Sequence, residues 1–226
     1  MTEAEWLATT DPTPLLEFIL PSASDRKLRL FAAACCRRVE HLLMTAAGRA
    51  AVDVAERNAD GRAERWEVVG AMIGLDEGAA ADPPPGRLVL DRRAEAVASA
   101  VLYTLLDPKV GTSGGYSRVR AAAEQAAFAA AHAGRVGEEA AQLALLRDIF
   151  GNPLRPAADP RPWRIDTAIA IARGMYESRD FSAMPILGDA LQDAGCDSDG
   201  ILTHCRDATA THVRGCWVAD LVLGRE

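Results

Sequence analysis

Three of the five cysteines and two of the four histidines fall in one stretch near the end of the chain: Cys196, His204, Cys205, His212 and Cys216. Thiolate and imidazole both suit zinc, which prefers four such donors in a tetrahedron. His212 and Cys216 are four residues apart, so on a helix they would share a face. If a metal is bound, the pattern draws its ligands from Cys205, His212 and Cys216, with Cys196 or His204 completing the set. The spacings match no named zinc module, and a plainer reading competes. In it Cys205 and Cys216 are small core residues, and His212 caps or solvates a helix start.

The other two cysteines are adjacent. Cys35 falls on the apolar stripe of a strongly amphipathic segment, which points to inert packing. Cys36 lies one step round and precedes Arg37 and Arg38, which would lower its thiol pKa if it were exposed. Packing is the reading adopted for the pair. Five is an odd number and the spacings show no framework, so disulfides are not expected.

Other chemistry finds little support. Gly111-Thr112-Ser113-Gly114-Gly115 is glycine-rich, but it lacks the preceding strand and the Gly-Lys-Ser/Thr ending of a phosphate-binding loop. No HExxH, CxxC or calcium-loop pattern occurs, and the carboxylates are dispersed over polar helix faces. Arg37, Arg38, Arg206 and Arg214 would make a basic patch if the end segments packed together. Pairing with some of the 32 acidic residues is the stronger expectation.

The elements that must carry these residues read as helices. Asp11 and Pro12 open a short helix containing Leu15, Leu16, Phe18 and Ile19. Ser24 caps the clearest helix, Asp25 to about Met44, whose stripe of Leu28, Phe31, Cys35, Val39 and Leu42 should be buried. Further helices are expected over 48–58, 62–75, 91–106, 117–133 and 138–150, the last closed by Gly151 and Pro153. The final third continues with helices over 165–178, 185–194, 199–205 and 212–223. No alternating pattern of useful length appears, and Leu88-Val89-Leu90 is the one short strand candidate. The expected fold is all-α, an irregular multi-helix bundle without a substantial sheet. It reads as a single domain, with a possible internal boundary at 76–87 and a Pro-rich connection at 152–163.

Ser24-Asp25-Arg26-Lys27-Leu28-Arg29-Leu30-Phe31, with Cys35-Cys36-Arg37-Arg38 after it, resembles the opening of an uncharacterised paralogous family of Gemmata-type planctomycetes. The likeness continues through Leu146 to Pro153, Leu187-Gly188-Asp189-Ala190-Leu191 and His212-Val213-Arg214-Gly215-Cys216-Trp217. It implies a source and no activity.

Composition sets the outer limits. Alanine supplies 44 of the 226 residues against 14 valines and 8 isoleucines, a bias toward helix. The net charge of −7 argues against a broad nucleic-acid surface. No segment approaches the length of a membrane span, and the opening residues lack a signal-peptide pattern. The expectation is a cytoplasmic, non-enzymatic helical module for protein interaction or self-assembly. The alternative is an enzyme, or a zinc-stabilised regulator, built on the C-terminal Cys/His cluster.

Overall fold

A computed structural model describes residues 1–43, 46–80, 92–105, 137–155 and 159–225, with 124 and 126–128 besides. Every regular element among them is helical. In chain order these are α1 (Glu3–Ala8), α2 (Pro12–Ile19), α3 (Asp25–Arg38), α4 (Ala46–Ala59), α5 (Arg65–Ala80) and α6 (Arg92–Leu105). They continue as α7 (Glu138–Phe150), α8 (Asp166–Ser178), α9 (Met184–Asp193), α10 (Asp199–Arg206) and α11 (Trp217–Leu223). Short 3-10 turns cover Glu40–Leu42 and Arg161–Trp163. No strand occurs among the described residues, so the fold is all-α. No described helix is long and apolar enough to cross a membrane. Leu88 to Leu90, Gly111 to Gly115, His132 and nearly all of the helix expected over 117–133 lie outside the described residues.

The chain forms two compact units, Met1–Leu15 with Leu143–Glu226, and Leu16–Gln142. Of the boundary expected at 76–87, residues 76–80 continue α5 and the rest lie outside the described residues. The Pro-rich connection at 152–163 lies within the unit that contains both chain ends, and its residues 156–158 are outside the described set.

In the unit Leu16–Gln142, Ser24 starts the organising helix. Its hydroxyl accepts the Lys27 N–H at 3.3 Å, with Asp25 in the first turn and Arg37 and Arg38 in the last, as the helix dipole favours. Leu28, Phe31, Cys35 and Val39 are buried as expected, but so are Leu30, Ala33, Ala34 and Cys36. The reason is that α3 packs against both α4 and α6, so two faces are covered rather than one stripe. The helix also stops at Arg38, short of Met44. Val39 donates its N–H to the Cys36 carbonyl, tightening the chain into the turn Glu40–Leu42. Leu42 is consequently half-buried, and Leu43 takes the core position.

This packing brings Arg37 and Arg38 to acidic partners, the stronger expectation for them. Arg37 pairs with Asp53 and Glu56, while Arg38 donates to both carboxylate oxygens of Glu138 at 3.0–3.1 Å. It also decides the adjacent thiols. Burial pushes Cys36 up to about 12, so it is not a reactive thiolate. Native protein treated with a thiol-specific disulfide reagent should show Cys35 and Cys36 unlabelled by mass spectrometry. Rapid modification at neutral pH would show that the thiols reach solvent.

In the other unit, Thr2 and Glu5 form a capping box that starts α1 and buries Trp6. The Arg147 guanidinium donates to the carbonyls of Trp6, Leu7 and Thr9 at 3.0–3.2 Å, tying the end of α1 to α7. Behind it, α8 packs on α9 and α11, and α9 packs on α10. Their shared core includes Ala168, Ala172, Met175, Leu187, Leu191, Ile201, Val218 and Val222.

Candidate functional site

The last turn of α7 carries Leu145, Leu146 and Ile149 into the core, and Asp148 is buried among them with only 2% of its side chain exposed. A buried carboxylate must be compensated, and three groups do so. Its Oδ2 accepts the Val213 N–H at 2.9 Å. Its Oδ1 lies 2.8 Å from His212 Nδ1 and 3.2 Å from His204 Nε2. Burial alone would raise this carboxyl, but the hydrogen bonds from His204 and His212 outweigh it and hold Asp148 below the ordinary carboxylate range.

His204 arrives from α10 and His212 from the segment between α10 and α11. Their rings meet edge to face with centroids 4.8 Å apart. The sequence predicts that His212 and Cys216 share a helix, and the structure corrects this. α11 begins only at Trp217, and residues 212–216 form a loop with a tight turn. Cys216 donates its N–H to the Val213 carbonyl at 2.9 Å, with Gly215 between them at φ 92°. That is a turn requiring positive φ at its third residue, which glycine adopts without strain. The turn swings Cys216 back, placing its Sγ 3.3 Å from His204 Nε2 and 3.9 Å from His212 Nδ1.

Neighbouring residues fix the arrangement. The Trp217 ring lies 5.3 Å from that of His204 and covers the end of α7. Gly151 makes room for it, since a Cβ there would sit 3.1 Å from the indole. Arg214 anchors the loop by donating to the Tyr176 carbonyl at 2.8 Å. His212 Nε2 is buried without a hydrogen-bond partner.

Asp148, His204, His212 and Cys216 therefore form a group of four potential metal donors, all within 4.8 Å of one another. The expected set placed His212 and Cys216 here and offered His204 to complete it; the structure brings those three together and adds Asp148. Cys205 and Cys196 lie instead in the apolar core of the same unit. Cys205 packs where α9 passes closest to α10, its Cβ 2.9 Å from the place a Cβ on Gly188 would take, and burial pushes its thiol up to about 12. Sequence reasoning missed Asp148. The available signal was one carboxylate within Leu145-Leu146-Arg147-Asp148-Ile149-Phe150, at a position where helical spacing expects an apolar residue.

As a nucleophile, Cys216 is poorly placed. It is fully buried, and burial with the Asp148 carboxylate beside it pushes the thiol well above its ordinary value. A Cys–His pair active in acyl transfer needs a thiolate that substrate can reach. No protein-family model matches this chain, and neither a curated protein nor a solved structure does so.

Proposed function

We propose that this chain is a non-enzymatic, cytoplasmic helical module that works through protein contact, with a second copy of itself as the first partner to test. The observation that carries this reading is the outer face of α5. Trp66, Val69 and Ile73 recur at helical spacing and are 74%, 46% and 52% exposed. On the opposite face Ala71 and Leu75 are buried, and Gly74 lies so close to α4 that an added Cβ would meet the Ala47 Cβ at 2.9 Å. The helix thus has one apolar face docked and another open. Single exposed apolar residues are ordinary, but three in register with a tryptophan among them support reading this face as an interaction surface. Exposed Arg62, Glu64 and Arg65 border it. The sealed position of Cys216 supports the non-enzymatic half of the reading, and the resemblance to the planctomycete family brings no activity with it.

Sedimentation velocity over a wide concentration range tests this reading. Wild-type chain should associate as concentration rises, and a Trp66→Ser, Ile73→Ser variant should remain monomeric with unchanged helicity. A wild-type chain that stays monomeric throughout would overturn self-association. A zinc-stabilised regulator is a second reading, favoured by the four convergent donors on α7, α10 and the loop before α11.

A further inference from the structure

We propose that Asp148, His204, His212 and Cys216 bind one zinc ion in a closed tetrahedral centre that fastens the C-terminal loop to α7 and α10. Zinc bonds of about 2.0 Å to nitrogen or oxygen and 2.3 Å to sulfur give tetrahedral edges of about 3.3 Å, or about 3.5 Å to sulfur. The carboxylate-to-imidazole edges here are 2.8 and 3.2 Å, and the imidazole-to-sulfur edges are 3.3 and 3.9 Å. Along these four edges seating an ion requires shifts of about half an ångström or less, and the remaining donor pairs lie within 4.8 Å.

A hydrogen-bonded Asp–His–His cluster accounts for the two carboxylate edges. The Cys216 sulfur stands within hydrogen-bond reach of both imidazole nitrogens as a fourth group, and one carboxylate, two imidazoles and one thiol meeting at a point make up the donor set of a zinc centre. The donor types narrow the ion. Calcium and magnesium take six or more oxygen ligands, whereas carboxylate, imidazole and thiolate together suit zinc. All four positions are filled by side chains, so no vertex is left for a reacting water and the centre is structural. Asp148 also has the outer support that ligating carboxylates carry, through the Val213 amide on Oδ2. His204, with 17% of its side chain exposed, is the edge through which an ion enters.

The experiment uses full-length chain without a histidine tag, stripped with a strong chelator and then titrated with zinc or with cobalt(II). Elemental analysis should give a single zinc per chain, and zinc should raise the melting midpoint by at least a few degrees. Cobalt(II) should develop the intense visible bands of tetrahedral coordination and a near-ultraviolet thiolate charge-transfer band. The charge-transfer band should vanish in Cys216→Ser and persist in Cys205→Ser, which separates the cluster from the core thiol. Should Cys216→Ser fail to fold, His204→Ala tests the same centre from its exposed edge, with weaker binding expected. Zinc below roughly 0.2 per chain after saturation, or a cobalt spectrum lacking thiolate character in the wild type, overturns the proposal. Undiminished binding in His204→Ala overturns the ligand set.

Discussion

Phe31→Ala should destabilise the unit Leu16–Gln142 by about 3–5 kcal/mol, the range for removing a buried aromatic ring. The cost depends on whether neighbours can collapse into the space, and here they cannot do so easily. The ring is fully buried in the middle of α3, which is held on two sides by α4 and α6. Those helices bury mostly small side chains, Ala51, Val52 and Ala55 on α4 and Val97, Ala100 and Val101 on α6. Short side chains cannot reach into a void, so most of the cavity should remain. Urea unfolding followed by circular dichroism reads the effect as a lower midpoint with an unchanged slope. Leu42→Ala is the internal comparison. It stands half-buried beyond the end of α3 and should cost less than about 1.5 kcal/mol. Equal losses at the two positions would show that Phe31 is not packed as described.

The contrast between those residues shows where sequence reasoning succeeds and where it stops. Helix starts are local events, so Ser24 and Pro12 could be read directly, and so could the stop at Gly151 with its φ of 63°. How many faces of a helix are covered depends on its neighbours, and a stripe does not report them. That is why α3 carries Leu30, Ala34 and Cys36 in the core alongside the expected set. Asp148 and His204 are 56 residues apart in the chain, so only the fold brings them together. His204 and Cys205 are adjacent on α10, and one helical residue is a rotation of about 100°. That rotation sends Cys205 to the apolar core and His204 to the carboxylate, a choice the spacing alone left open. The apolar run from Val213 to Val222 imitated one continuous helix. Gly215 was the sign that it breaks, and the break is what lets Cys216 face both histidines.

Deleting Val213 to Glu226 should unfold the unit formed by Met1–Leu15 and Leu143–Glu226. The deletion removes Cys216, Val218, Ala219 and Val222, each at most 2% exposed, from a core shared with α8. Burial of a valine side chain is worth about 1.5–3 kcal/mol, so the two valines alone approach the lower end of a domain's stability of about 5–15 kcal/mol. The loss goes further, because the deletion also withdraws the Val213 N–H from Asp148 Oδ2 and leaves a buried carboxylate short of a donor. It takes away the Arg214 contacts to the Tyr176 and Glu177 carbonyls, and the Trp217 ring that covers Gly151. Truncated chain should show a circular-dichroism loss larger than α11 itself contributes, and rapid proteolysis over residues 143–212. A second variant separates packing from the four donors. Val218→Ala with Val222→Ala keeps Asp148, His204, His212 and Cys216 intact and should still cost about 2–4 kcal/mol in metal-free protein. If that pair is silent while the truncation unfolds the unit, the donors rather than the apolar face of α11 hold the tail. If the truncated chain keeps its remaining helicity and its melting midpoint, α11 is not docked at all.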